Sequence, residues 1–84
     1  MTSFIADQAP SDAHLTDYDR AHLTLYLRLL DAHQEQAGWS EVASMLLAVD
    51  PDQEPERAQV RYETHLARAK WMADQGYMDL LKSR

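Results

Sequence analysis

The sequence predicts an all-α fold: a three-helix, helix-turn-helix-like domain followed by a short C-terminal helix or turn. Three observations carry that expectation. Apolar residues recur every three or four positions over residues 16–36, 39–49 and 55–75, which is the spacing of a helix face and not the alternation of a strand. The two glycines and three prolines fall at or outside the ends of those stretches, where helix breakers belong. Eighty-four residues can bury one modest core, and an apolar content of 45% is enough to build it.

Residues 1–14 contain Ser, Asp and Pro with no apolar period beyond Phe4-Ile5, which predicts a flexible N-terminal arm ahead of a domain spanning 15–84. The first helix begins at Thr16, because Thr-Asp-Tyr-Asp sets Asp19 three places after a capping hydroxyl. Asp17 and Asp19 suit the positive end of its dipole, and it runs to Gln36 with Gly38 supplying the stop. Leu23, Tyr26, Leu27 and Leu30 form its core stripe, opposite a solvated face of Asp17, Arg20, Thr24, Arg28 and Asp31. Tyr18, Leu25 and Leu29 widen the apolar arc beyond what one packed face needs. Either a later element covers that shoulder or a partner does.

The second helix opens at Trp39-Ser40-Glu41, with Ser40 as N-cap, and turns Val42, Met45, Leu46 and Val49 inward. Ala43 is small enough for close helix approach, and Pro51 ends the helix. Pro55 is suited to the first position of the third helix, which Asp52 or Glu54 can cap and which continues to Gln75 before Gly76. Its core face is Ala58, Tyr62, Leu66, Ala69, Met72 and Ala73. Beyond Gly76, Tyr77, Leu80 and Leu81 are placed to fold back onto the core.

Several function classes drop out. There is no cysteine for a disulfide or thiolate metal site, no basic-then-apolar leader, and no apolar run near the ~20 residues that span a bilayer. These features predict a cytoplasmic protein without membrane contact. No phosphate loop, nucleophile elbow or zinc-protease motif occurs, so neither catalysis nor a cofactor is expected. Of the histidines at 14, 22, 33 and 65, His22 and His33 share a side of the first helix but stand three turns apart. His65 lies at the edge of a core face, where packing explains it, and no metal site is expected.

Charge bears on partners. Eight basic against fourteen acidic residues leave −6, and duplex DNA draws its binders mainly through lysine and arginine. Asp50, Asp52, Glu54 and Glu56 crowd the entrance to the third helix, where phosphates would have to come. From Glu56 to Asp74 that helix carries four basic and three acidic residues, only +1. Arg57, Arg61 and Arg68 lie along one outward side, as a recognition helix would place them. Between them run Val60, Thr64, Ala67 and Trp71, an apolar stripe better suited to docking a protein.

The stretches HLTLYLRLLDA, GWSEVASMLLAVDPDQEPERA, THLARAKWM and GYMDLL together resemble a helix-turn-helix-like family catalogued as domain of unknown function 2285, found in transcriptional regulators of integrative and conjugative elements. The resemblance spans residues 19–81, and G-Y-x-D-L-L is its most specific piece. Fuller members of that family are transcriptional activators whose copy of the domain contributes to DNA binding. A short acidic copy is similar to the family's antiactivators, which implies that the chain binds and inactivates a LuxR-type quorum-sensing activator (TraR) and the transfer activator FseA, repressing excision and conjugative transfer. Met78 stands where the family often has arginine, and Gln53, Gln59 and Val60 stand where a DNA reader could use positive charge.

The resulting expectation is a monomeric antiactivator that docks transcriptional activators and no nucleic acid. Its docking surface would be Val60, Arg61, Thr64, Arg68 and Trp71, with Tyr18, Leu25 and Leu29 as a second patch. The alternative is a sequence-specific DNA-binding regulator using Arg57, Arg61 and Arg68. A third reading is an antitoxin-like or assembly subunit.

Overall fold

Thr16 opens the first helix as its sequence predicts. In the computed structural model, which describes residues 5–76, the Asp19 N–H donates to Thr16 Oγ1 (3.2 Å) and the Thr16 N–H donates to Asp19 Oδ2 (2.9 Å), a complete capping box. The helix it starts is short. Where one helix from 16 to 36 was expected, the chain forms α1, Asp17–Ala21, and α2, Leu23–Gln34. At His22 the backbone departs from helical angles and its N–H reaches Asp19 O (3.1 Å) instead of closing onto Tyr18. The His22 imidazole then donates from Nδ1 to the Tyr18 carbonyl (2.7 Å), so that the break leaves this acceptor satisfied.

Two further helices and a π-helical turn complete the described fold: α3, Trp39–Leu46, α4, Pro55–Trp71, and the turn Met72–Gly76. No strand occurs among the described residues. The all-α, helix-turn-helix-like architecture is therefore the one expected. The predicted C-terminal element around Tyr77, Leu80 and Leu81 lies outside the described residues.

The helix ends differ from expectation in instructive ways. Gln36, not Gly38, adopts the left-handed conformation that stops α2 (φ 62°). The Gln36 N–H bonds His33 O and the Ala37 N–H bonds Ala32 O, the paired closure that satisfies the last carbonyls of a helix. Gly38 is extended and is the N-cap of α3, with no side-chain cap, and Ser40 sits inside that helix. At the far end Ala48 (φ 54°) turns the chain away, well ahead of Pro51.

α4 packs against both α2 and α3, and the core gathers where the three meet. It contains Leu15, Tyr26, Leu29, Val42, Ala43, Leu47, Val49, Ala58, Leu66, Ala69 and Met72. Ala43, Ala58 and Ala69 are fully buried, and their small side chains let the helices close up. The phase of α2 differs from the predicted stripe: Leu29 is buried, Leu27 is 59% exposed, and Leu25 is half-buried. Tyr26 sets this phase, because its hydroxyl must reach the buried Asp19 (2.7 Å). Met45, expected inside, is 75% exposed, and Ala73 is exposed too.

Candidate functional site

α4 is the longest helix, and two of its sides are covered. One faces the core. The other lies beneath residues 6–14, the segment expected as a loose arm, which runs along it and bonds to it at several points. The Ala9 N–H donates to Thr64 Oγ1 (3.1 Å). Arg61 donates from Nη2 to Asp7 Oδ1 (2.6 Å), and Arg57 donates from Nε to the same oxygen (2.7 Å). Arg68 donates to the carbonyls of Asp12 (2.6 Å) and His14 (2.9 Å).

The arginines of α4 are thus not a free cationic row. Arg61 is buried, with Nη1 donating to Leu47 O (2.8 Å) in the segment joining α3 to α4. Arg68 is buried as well and grips Asp19 with two bonds, Nε to Oδ1 (3.0 Å) and Nη2 to Oδ2 (2.6 Å). The Trp71 ring stacks on that guanidinium, 3.8 Å from its carbon to the ring centre. Only Arg57 is substantially exposed, and it also donates to Glu54 (2.9 Å).

Asp19 is fully buried and accepts from Thr16, Tyr26 and Arg68. Burial pushes its carboxyl up, but the bonds from Arg68, Thr16 and Tyr26 outweigh this and bring it down to about 2. Burial, then the bond to Asp19, drives the Tyr26 phenol well above its ordinary value. At the surface, hydrogen bonds from Arg61 and Arg57 lower Asp7.

A second polar seam runs beside it. His65 donates from Nδ1 to Arg61 O (2.7 Å), and a carbonyl can only accept, so Nδ1 carries the proton. Its Nε2 lies 2.6 Å from the Tyr18 hydroxyl, which in turn accepts from the Ala6 N–H (3.0 Å). Burial holds His65 below its usual value, which keeps Nε2 an acceptor for Tyr18. Tyr18 also stacks on His22, ring centres 3.9 Å apart.

The predicted docking surface is therefore divided. Val60 is 40% exposed, Thr64 and Trp71 are half-buried, and Arg61 and Arg68 are inside. An open groove of about 440 Å³ lies where the arm meets this face, with Ala9, Pro10, Thr64, Ala67, Arg68 and Trp71 among its walls. In the second patch Leu29 belongs to the core, Leu25 is half-buried, and Tyr18 is an arm anchor. What α4 shows to solvent is Glu56, Arg57, Gln59, Val60, Glu63, Ala67 and Lys70. Among the described residues no histidine and carboxylate cluster is arranged to hold a metal, and no helix is long and apolar enough to cross a membrane.

The acidic entrance to α4 also resolves into separate roles. Asp50 accepts from the N–H groups of Asp52 (2.9 Å) and Gln53 (3.4 Å), closing the turn before the helix. Glu54 pairs with Arg57, and Glu56 lies in the first turn, at the positive end of the helix dipole. Three of the four carboxylates thus have local work that says nothing about partners.

The model of one protein family, RovC_DNA-bd, described as "T6SS, Transcription factor, DNA binding domain", matches residues 2–82. No curated protein matches the chain. The match overturns the resemblance to the domain of unknown function 2285 family and to its short antiactivators such as QseM, because it names a different family. It overturns the exclusion of nucleic acid as well. Net charge is a sum over the whole chain and does not register where individual cations stand, so it could not decide that question.

Proposed function

We propose, from the premise that the chain belongs to the RovC DNA-binding-domain family, that it binds duplex DNA as part of a transcription regulator and performs no catalysis. The observation that carries this reading is that membership, which covers nearly the whole chain. The geometry is compatible with it. In helix-turn-helix proteins the second helix of the motif lies in the major groove while the first crosses the backbone. In chain order α3 and α4, joined by residues 47–54, correspond to the first and second helices of such a motif, and we assign α4 to the groove on that basis.

The exposed side of α4 supplies chemistry for such a contact. Gln59 can make paired hydrogen bonds to an adenine edge, and it is held ready by its bond to Glu63 (3.1 Å). Val60 and Ala67 offer methyl groups to thymine, while Arg57 and Lys70 stand at the two ends of the strip for phosphates. With a net charge of −6, the contact should be weak at physiological salt and should weaken further as salt rises.

Selection from a random duplex library at low ionic strength tests the reading. An enriched sequence, bound with a negative salt dependence, supports it. If no sequence is enriched and the protein fails to retain any duplex, it is wrong.

A further inference from the structure

Two of the cations that a duplex would want are already answered by an internal anion. A single oxygen, Asp7 Oδ1, accepts from Arg57 Nε at 2.7 Å and from Arg61 Nη2 at 2.6 Å. One carboxylate oxygen bridging two guanidinium groups is the arrangement in which such pairs hold a phosphate oxygen. Arg61 is fixed for this role from behind, since Leu47 O holds Nη1 at 2.8 Å. Its Nε is buried and has no partner, so Asp7 leaves one donor of the cluster unused.

We propose that Arg57 and Arg61 form a phosphate-binding site for the DNA backbone, and that Asp7 occupies it in the free domain, so that arm and duplex compete. This rests on the DNA-binding reading above. The arm is built for such an exchange. Asp7 itself is more than half exposed at 58% of its side chain, and Gln8 is exposed beside it. Its root is held more firmly, because Arg68 grips the Asp12 and His14 carbonyls from inside the fold. The outer part is held, besides Asp7, by Ile5 against the core and by single bonds from the Ala6 N–H to Tyr18 and the Ala9 N–H to Thr64, so its release in exchange for a phosphate breaks those contacts while the Arg68-held root stays.

The exchange has a direction imposed by burial. Arg61 is 4% exposed, and a guanidinium in that setting is costly to leave without an anion. Spontaneous lifting of Asp7 is thus opposed, whereas lifting in step with an arriving phosphate replaces one anion by another. Glu54 also pairs with Arg57, at 2.9 Å, which tempers the affinity of the site. The device explains how an acidic chain keeps cations for a duplex while hiding them in its absence.

Fluorescence anisotropy with a labelled random-sequence duplex at low salt tests it on the full chain. Asp7→Asn is expected to bind about tenfold tighter than wild type, with a salt slope steeper by about one phosphate contact. Asp7→Glu, which keeps the charge, should stay near wild type. Asp31→Asn removes the same charge from α2, so a comparable gain there would reduce the effect to general electrostatics and overturn the proposal. Arg57→Gln in the Asp7→Asn background should cancel the gain. In wild type, a saturating duplex should speed hydrogen exchange at the Ala9 amide as the arm leaves Thr64. Equal binding by wild type and Asp7→Asn overturns the competition while DNA binding stands. If neither protein binds any duplex, both readings fall.

Discussion

Asp19 and Arg68, 49 residues apart in the chain, meet in a two-bonded pair of 3.0 and 2.6 Å with neither side chain reaching solvent. The pair ties α1 to α4, and through the Asp12 and His14 carbonyls it also roots the arm. Removing one member leaves the other charge buried and unanswered, which costs about 3–5 kcal/mol in comparable sites. Asp19→Asn should therefore lower the urea-derived unfolding free energy by about 3 kcal/mol, a large share of a small domain's stability. A loss under about 1 kcal/mol would show that the pair contributes little.

The same carboxylate predicts an acid limb. Its folded value of about 2 lies below the ordinary 3.8, so the unfolded chain takes up this proton first as pH falls. The stabilisation is complete above about pH 4 and disappears towards pH 2, amounting to roughly 2 kcal/mol. Denaturation midpoints across that range check it, and in Asp19→Asn this limb should be missing.

His65 predicts a second, separate window. Burial lowers its value in the folded state, so stability falls as pH drops below the ordinary value of 6.5 towards the folded one. Protonated Nε2 can no longer accept from Tyr18, whose hydroxyl also receives the Ala6 amide, and His22 and Arg61 add repulsion from either side. Acidification should loosen the arm before the core. Proteolysis within residues 5–11 should accelerate as pH falls from 7.5 to 5.5, and His65→Gln should flatten that dependence. An unchanged cleavage rate would separate His65 from the arm.

How much of this was legible beforehand depends on what each residue packs against. The capping box at Thr16 and the first position of Pro55 involve only near neighbours, and both are where the pattern puts them. The apolar stripe of α4 is legible for a similar reason, since Ala58, Leu66 and Ala69, with Met72 just past the helix, face an apolar core, although Ala73 does not. His65 was read as a packing residue at the edge of a core face, and it is buried; Arg61 and Arg68 were not legible as buried. The two arginines lie at helical spacing on a second covered side, but their partners include Asp7, Asp12 and His14 of the arm and Asp19 of α1, which no local pattern links to α4. A polar stripe sealed by a polar segment has the same composition as a solvated one. The break at His22 was hidden too, because a histidine that replaces a backbone bond carries no breaker signature.

Gln36 carries a left-handed backbone with a side chain that disfavours it, while the nearby Gly38 is extended and has open space where a Cβ would stand. The glycine is two positions from where the helix end needs it. Gln36→Gly should stabilise the domain by up to about 1 kcal/mol, after the extra freedom of glycine in the unfolded chain is subtracted. Gly38→Ser, which adds an N-cap hydroxyl to α3, should add a few tenths of a kcal/mol. Thermal melts measure both, and a destabilised Gln36→Gly would mean that the Gln36 side chain makes a contact worth more than its backbone strain.

Lys70 and Gln59 separate the two ways in which α4 can contact DNA. Both are exposed, and neither belongs to the buried polar seam. If Lys70 meets a phosphate, Lys70→Ala weakens binding to every duplex alike and reduces the slope of log affinity against log salt by about one. If Gln59 reads a base, Gln59→Ala leaves that slope unchanged and relaxes the preference at one position of the selected site, a loss of about 1–3 kcal/mol on the matched sequence only. Salt titrations of the two variants on matched and mismatched duplexes distinguish these behaviours. Should Gln59→Ala weaken all sequences equally, the exposed strip of α4 is positioning the domain on the backbone, and the bases are being read elsewhere.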